Sequence, residues 1–66
     1  MILGLDISTS MTGATVLDEG GNIVRCEAWD FRNKRKYPTF FSKVEAARNH
    51  LDDICQHHKI EQIYVE

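Results

Sequence analysis

The first half of the chain alternates between short apolar runs and polar turns. Residues 1–5 are almost continuously apolar, which is typical of a strand buried on both faces. β-Prone residues resume at positions 14–17, and residues 23–29 show the two-residue alternation of a third strand. Between these two runs, Asp18-Glu19-Gly20-Gly21-Asn22 predicts a tight hairpin turn in which a glycine can take a positive φ. The pattern therefore predicts a three-stranded antiparallel meander.

The second half of the chain predicts one amphipathic helix. It follows a polar and basic stretch at residues 30–37, which has the composition of a loop. Apolar residues then recur at steps of three and four, which is the helical period: Phe40, Val44, Ala47, Leu51, Ile54 and Cys55. Two starts fit, with Pro38 in the first helical turn or with Ser42 and Glu45 as a capping box. The helix is expected to end near residues 57–59, where the sequence His-His-Lys suits a helix C-terminus.

A last strand is predicted at residues 62–66. A helix between two strands of one sheet normally makes a crossover connection, so this strand can run parallel to an earlier one. The first strand is the natural partner because both strands are apolar. Ligands in such sheets lie at the carboxyl ends of the parallel strands, where Asp6 and Glu66 both fall.

Sixty-six residues allow at most one small domain. No polar tail follows the last predicted strand, so residues 1–66 are interpreted as the N-terminal part of a longer domain. The two cysteines, Cys26 and Cys55, are in apolar surroundings and are predicted to be buried in a reducing compartment. No secretory or membrane-spanning segment is recognisable, which favours a soluble, cytoplasmic protein with no membrane partner.

Asp6 and Glu66 are the candidate metal ligands. Each carboxylate follows an apolar run in which it has no packing role. Two carboxylates at adjacent strand ends repel each other unless a cation lies between them, and Mg²⁺ prefers such oxygen ligands together with substrate phosphates. A pair of ions can activate the attacking water and stabilise the leaving oxygen. The alternative for Asp6 alone is an acid that caps the following turn through the amides of Ser8 or Thr9.

Two motifs resemble the RuvC-type Holliday junction resolvases. Ile2-Leu3-Gly4-Leu5-Asp6-Ile7-Ser8 followed by Thr12-Gly13-Ala14 resembles the family's opening strands, and Ile63-Tyr64-Val65-Glu66 resembles its fourth strand. The resemblance implies an RNase H-like fold and hydrolysis of phosphodiester bonds in branched DNA such as four-way junctions. It further implies Mg²⁺ or Mn²⁺ as cofactor, a homodimer, and Asp6 and Glu66 as catalytic metal ligands. The family's other carboxylates have no counterpart here, so this segment alone is expected to be inactive.

Two other functions remain open. Resolvases often have proline after the first aspartate, whereas this chain has Ile7, and residues 6–10 are close to the phosphate loop of sugar-kinase and actin-like ATPases. Against that interpretation, Ser8 replaces the usual loop glycine and Gly13 stands where kinases tend to have a basic residue. The second possibility is a catalytically silent RNase H-like module that only binds protein or nucleic acid.

Hydroxyl and basic side chains are the candidate contacts to DNA. Ser8 and Thr12 could contact phosphate, as could Thr9 and Ser10, although turn hydroxyls usually bond to their own backbone. Half of the eight basic residues fall within five positions, as Arg32, Lys34, Arg35 and Lys36. This run suits a loop that follows a phosphate backbone, and an ordinary solvated loop is the alternative.

The remaining aromatic and histidine residues are expected to be structural. Four aromatic residues could stack on bases, but packing between sheet and helix is the default for them: Trp29, Phe31, Phe40 and Phe41. Adjacent helical residues point about 100° apart, so His57 and His58 cannot easily share one metal ion, and a helix-end role is favoured. His50 is expected to be solvated.

Overall fold

The computed structural model of the protein describes residues 1–8 and 10–66. In chain order the elements are β1 (Ile2–Ile7), β2 (Met11–Leu17), β3 (Ile23–Asp30), α1 (Phe40–His57) and β4 (Gln62–Val65). They form one four-stranded sheet in the order β3-β2-β1-β4. Strands β1, β2 and β3 are antiparallel neighbours, and β4 runs parallel to β1. The predicted α/β architecture is confirmed: a meander, a crossover helix, and a fourth strand parallel to the first.

The core lies between α1 and one face of the sheet. Alternate residues of the strands supply most of it, and the helix supplies one fully buried side chain. The buried apolar residues are Leu3, Leu5, Ala14, Val16, Trp29, Phe31 and Ile54. Burial of β1 on both faces is a wrong prediction, because Ile2 and Gly4 are only half-buried and Asp6 is exposed. The sheet therefore has one covered face and one open face within the described residues.

The turn between β2 and β3 forms as the sequence predicts. The Asp18 carboxylate accepts hydrogen bonds from the backbone amides of Gly20 and Asn22, both at 2.9 Å. Gly21 has a φ of 82°, a conformation that residues with a Cβ rarely adopt. These amides hold the pKa of the Asp18 carboxyl below its ordinary value, with Asn22 the largest cause.

Helix α1 begins with a capping box that lies between the two starts that the sequence allows. Thr39 is the N-cap, and its hydroxyl accepts a hydrogen bond from the Ser42 amide at 3.1 Å. The Ser42 hydroxyl in turn accepts from the Thr39 amide at 3.1 Å. Both predicted starts are therefore wrong, since Pro38 precedes the cap and Ser42 is the last residue of the box, at N3, rather than its first. The predicted end is confirmed, with His57 in the last turn and His58 as C-cap.

Only the C-terminal half of the predicted helical stripe packs on the sheet. Ile54 is fully buried and Leu51 and Ala47 are partly buried, but Phe40 and Val44 are exposed. The stripe is therefore covered from Ala47 onwards, and its first two members remain exposed.

The predictions for three individual side chains are also wrong. Cys26 and Cys55 are both exposed, each on the side of its element that faces away from the core. His50 is half-buried because it packs on Trp29.

In the described part of the chain, no helix has the length and apolar content needed to cross a bilayer.

Candidate functional site

The backbone places Glu66 directly beside Asp6. Leu5 of β1 is paired with Val65 of β4, and the Glu66 amide donates to the Leu5 carbonyl at 2.9 Å. The Ile7 amide donates to the Glu66 carbonyl at 3.1 Å, so the two hydrogen bonds of Glu66 flank Asp6 on the neighbouring strand. This is the pattern of a parallel ladder, and it extends the register by one residue beyond the end of β4.

Both carboxylates lie on the open face of the sheet. Leu3 and Leu5 of β1 point to the helix, so Asp6 points to the other side by the two-residue alternation of a strand. Glu66, its cross-strand neighbour, shares that side. The two acids line one shallow cleft of about 450 Å³. Its lining residues are Gly4, Leu5, Asp6, Gly13, Thr15, Tyr64 and Glu66.

The cleft carries negative charge without a basic neighbour. Lysine and arginine are absent from its lining, and neither carboxylate makes a hydrogen bond or an ion pair with another described residue. Asp30, by contrast, is paired with Arg32, whose terminal nitrogen lies 2.7 Å from the Asp30 carboxylate. Two unpaired acids side by side on an open sheet face fit a hard divalent cation, whose preferred ligands are carboxylate oxygens.

Two protein carboxylates are enough for one class of metal site. Among residues 1–8 and 10–66, no three histidine, cysteine or acidic side chains cluster as metal ligands. Mg²⁺ keeps several waters and is often held by one or two carboxylates together with substrate phosphates. The pair at Asp6 and Glu66 therefore fits a site that is completed by water and by substrate.

Glycines leave the sheet flat beside the acids. Gly13 is the cross-strand partner of Asp6 on β2, and a Cβ at Gly13 would lie 3.9 Å from the Asp6 Cβ. Gly4 on β1 lies on the same face, two residues before Asp6. A backbone surface without side chains lets a ligand or another chain approach closely.

Apart from Leu5, four residues of the cleft were not predicted from the sequence as site residues: Gly4, Gly13, Thr15 and Tyr64. The signal that identifies them is the two-residue spacing. Gly4 and Tyr64 each precede an acid of the site by two positions, and Thr15 follows Gly13 by two positions. Residues two apart on a strand share a face. Knowing the register of β2 against β1 is the step that the sequence alone does not supply.

The hydroxyl residues that the sequence predicts as contacts to DNA lie in different environments. The Ser8 hydroxyl donates to the Met11 carbonyl at 2.5 Å and accepts from the Met11 amide at 3.0 Å, so it closes the turn after β1. Thr12 is buried, on the helix-facing side of β2. Thr9 lies outside the described residues. Ser10 is exposed, and its carbonyl accepts from the Phe31 amide at 2.8 Å.

The four predicted basic contacts are all exposed but differ in their partners. Arg32 pairs with Asp30, with its Nε at 2.9 Å and its terminal nitrogen at 2.7 Å from the two carboxylate oxygens. Lys36 lies over the Tyr37 ring, 5.6 Å from its centroid. Lys34 and Arg35 make no side-chain hydrogen bond or ion pair with the described residues.

Comparison of this chain with family models, with curated proteins and with solved structures gives no match. The resemblance to resolvases therefore remains a prediction from two short motifs. The functional assignment depends on the geometry of Asp6 and Glu66 and on the chemistry of the residues around them.

Proposed function

We propose that this chain is part of a metal-dependent endonuclease that hydrolyses phosphodiester bonds in branched DNA such as Holliday junctions. The observation that carries the proposal is the direct cross-strand pairing of Asp6 with Glu66 on the open sheet face. Both acids stand at the carboxyl ends of parallel strands, where sheets of this kind bind ligands. The two resolvase-like motifs contain these same two residues.

In this proposal Asp6 and Glu66 hold Mg²⁺ or Mn²⁺ through their carboxylate oxygens. The ladder bonds of β1 and β4 fix their backbones side by side. When bound, the ion supplies positive charge that activates water and stabilises the leaving oxygen. Gly4 and Gly13 leave room for the phosphodiester next to the acids.

The proposal extends to the protein as a whole. Residues 1–66 form the N-terminal part of an RNase H-like nuclease domain, whose further carboxylates lie in later sequence. The intact enzyme acts as a homodimer on four-way junctions in the cytoplasm, and the isolated segment does not cleave. Arg32, Lys34, Arg35 and Lys36 are the proposed contacts to the DNA backbone, whereas the Ser8 hydroxyl is bonded to Met11 and Thr12 is buried on the helix-facing side of β2.

The phosphate-loop alternative has less support. A phosphate loop presents backbone amides and hydroxyls to its ligand, and glycine allows the close approach. Here the Ser8 hydroxyl is occupied by both backbone groups of Met11. The cleft at Asp6 is also lined by a second acid rather than by a basic residue. Both features favour cation binding over phosphate binding.

Cleavage of a synthetic four-way junction by the intact protein tests the proposal. We expect cleavage that requires Mg²⁺ or Mn²⁺ and that is abolished by Asp6→Asn and by Glu66→Gln. Glu19→Gln is the matched control, because Glu19 is an exposed acid at the opposite end of the sheet. Full activity in either acid variant, or ATP hydrolysis without DNA cleavage, would contradict the proposal.

A further inference from the structure

The start of α1 exposes two adjacent phenylalanines. Phe40 is 72% exposed and Phe41 is 75% exposed, the highest values among the large apolar residues described as exposed. The prediction that these rings pack against the sheet is therefore wrong for both residues. Trp29 and Phe31, by contrast, are buried as predicted. Two neighbouring aromatic rings in water at a helix start need another explanation.

The loop that precedes these rings is basic and ordered. Phe31 anchors its beginning, since this ring is buried and its amide donates to Ser10 at 2.8 Å. The Asn33 side-chain oxygen accepts from the amides of Arg35 and Lys36 at 2.9 and 3.2 Å, which closes a turn at residues 33–37. The Tyr37 ring meets Phe31 edge to face at 5.3 Å. The capping box at Thr39 then fixes the helix start.

Charge is segregated to this part of the molecule. Residues 30–36 contain four basic side chains and one acid, although the whole chain has a net charge of −2. The acid is Asp30, which neutralises Arg32. Lys34 and Arg35 retain uncompensated charge within the described residues. A local positive surface next to exposed rings is the combination that single-stranded nucleic acids bind, through phosphates and through base stacking.

We propose that the segment from Arg32 to Phe41 binds an unpaired DNA strand, with Phe40 and Phe41 stacking on bases and with Lys34 and Arg35 contacting phosphates. The biological role of this binding rests on the proposed function: the segment would contact unpaired bases of the branched DNA that the enzyme cleaves. The binding itself involves neither Asp6 nor Glu66 and needs no metal ion.

A second copy of the chain is a poorer occupant for this surface. Pairing the same patch with itself across a twofold axis would bring two basic loops of like charge together. A polyanion, in contrast, carries the charge opposite to that of the basic loop. Phe40 also borders a small apolar cleft of about 120 Å³ that reaches Ser8 at the end of β1. Phe40 therefore lies beside the residues that follow Asp6 in the chain, whereas Phe41 borders a separate cleft on the helix.

Fluorescence anisotropy with a labelled 12-nucleotide oligothymidylate, in EDTA, tests the inference. We expect Phe40→Leu and Phe41→Leu each to weaken binding roughly 5- to 150-fold, because leucine is apolar but cannot stack. Phe40→Tyr and Phe41→Tyr should retain the wild-type affinity. Lys34→Ala and Arg35→Ala should each reduce the slope of log affinity against log salt by about 0.7.

Controls separate this inference from effects on folding and from the nuclease proposal. Ile23→Ala removes an equally exposed apolar residue, and Lys59→Ala removes a basic residue outside the loop, so both should bind normally. Binding in EDTA does not involve the metal site, so normal binding of the oligothymidylate together with loss of junction cleavage concerns the acids alone. Wild-type affinity in both leucine variants overturns the inference. Sedimentation showing that these variants dissociate a dimer, without a change in DNA affinity, also overturns it.

Discussion

The indole ring of Trp29 lies flat against the imidazole ring of His50, with ring centroids 4.9 Å apart and planes inclined by 12°. Trp29 belongs to β3 and His50 to α1, so the stack joins the sheet to the helix. Arg25 of β3 makes a second link, since its guanidinium lies 2.6 Å from the Asp53 carboxylate of α1. These contacts hold the helix across the edge of the meander.

Removal of the imidazole should weaken this link without unfolding the protein. We expect His50→Ala to lower the free energy of unfolding by about 0.5–1.5 kcal/mol, the usual value of an aromatic pair. His50→Phe should restore most of it, because phenylalanine keeps the stacked ring. Urea unfolding followed by the fluorescence of Trp29, the single tryptophan of the chain, measures both variants. Equal stability of His50→Ala and wild type would show that the stack contributes nothing.

The carboxyl of Glu27 provides a pH-dependent test of the same region. A hydrogen bond from the Trp29 indole, at 2.9 Å, is the main cause that lowers the pKa of Glu27 below its ordinary 4.5, and Arg25 adds to it. The carboxylate therefore contributes stability above about pH 4.5, which is lost as the pH falls through the lowered folded-state value.

We expect Trp29→Phe to raise the pKa of Glu27 toward 4.5 in a carboxyl NMR titration, because the ring stays apolar but the donor is lost. Glu27→Gln keeps an acceptor for the indole and removes the titration, so its stability should depend less on pH between 3 and 5. An unchanged Glu27 pKa in Trp29→Phe would contradict the assigned cause.

The position of the helix cap gives a third prediction. Thr39→Ala should reduce the free energy of unfolding by about 1 kcal/mol, since it removes the acceptor for the Ser42 amide. Glu45→Gln should be neutral, although the sequence alone suggests Glu45 as a capping residue. Thermal unfolding followed by circular dichroism compares the two. A larger effect at Glu45 than at Thr39 would place the cap one turn later.

The strand order and the pairing of the two acids could be predicted from the sequence. The apolar runs fix which segments form strands, and the single helix between β3 and β4 makes a parallel return beside β1 the natural connection. Asp6 and Glu66 end their apolar runs at equivalent positions, so the parallel register brings them together. Periodicity and topology together are sufficient for that result.

The surroundings of individual side chains could not be predicted in the same way. Helical periodicity places Phe40 in the same stripe as Ile54, but it does not show that Phe40 is exposed while Ile54 is fully buried. Cys26 alternates with core residues of β3, yet its face is the one that α1 leaves open. Which face of a strand is covered depends on where the helix docks, and local sequence does not encode that.

The central claim is that the carboxylates of Asp6 and Glu66 bind one divalent cation on the open face of the sheet. Titration with Mn²⁺ followed by amide NMR signals tests it most directly, because the paramagnetic ion broadens nearby resonances. We expect broadening centred on Gly4, Gly13 and Tyr64, and its loss in Asp6→Asn. Absence of broadening at these amides, or broadening that persists unchanged in Asp6→Asn, would contradict the claim.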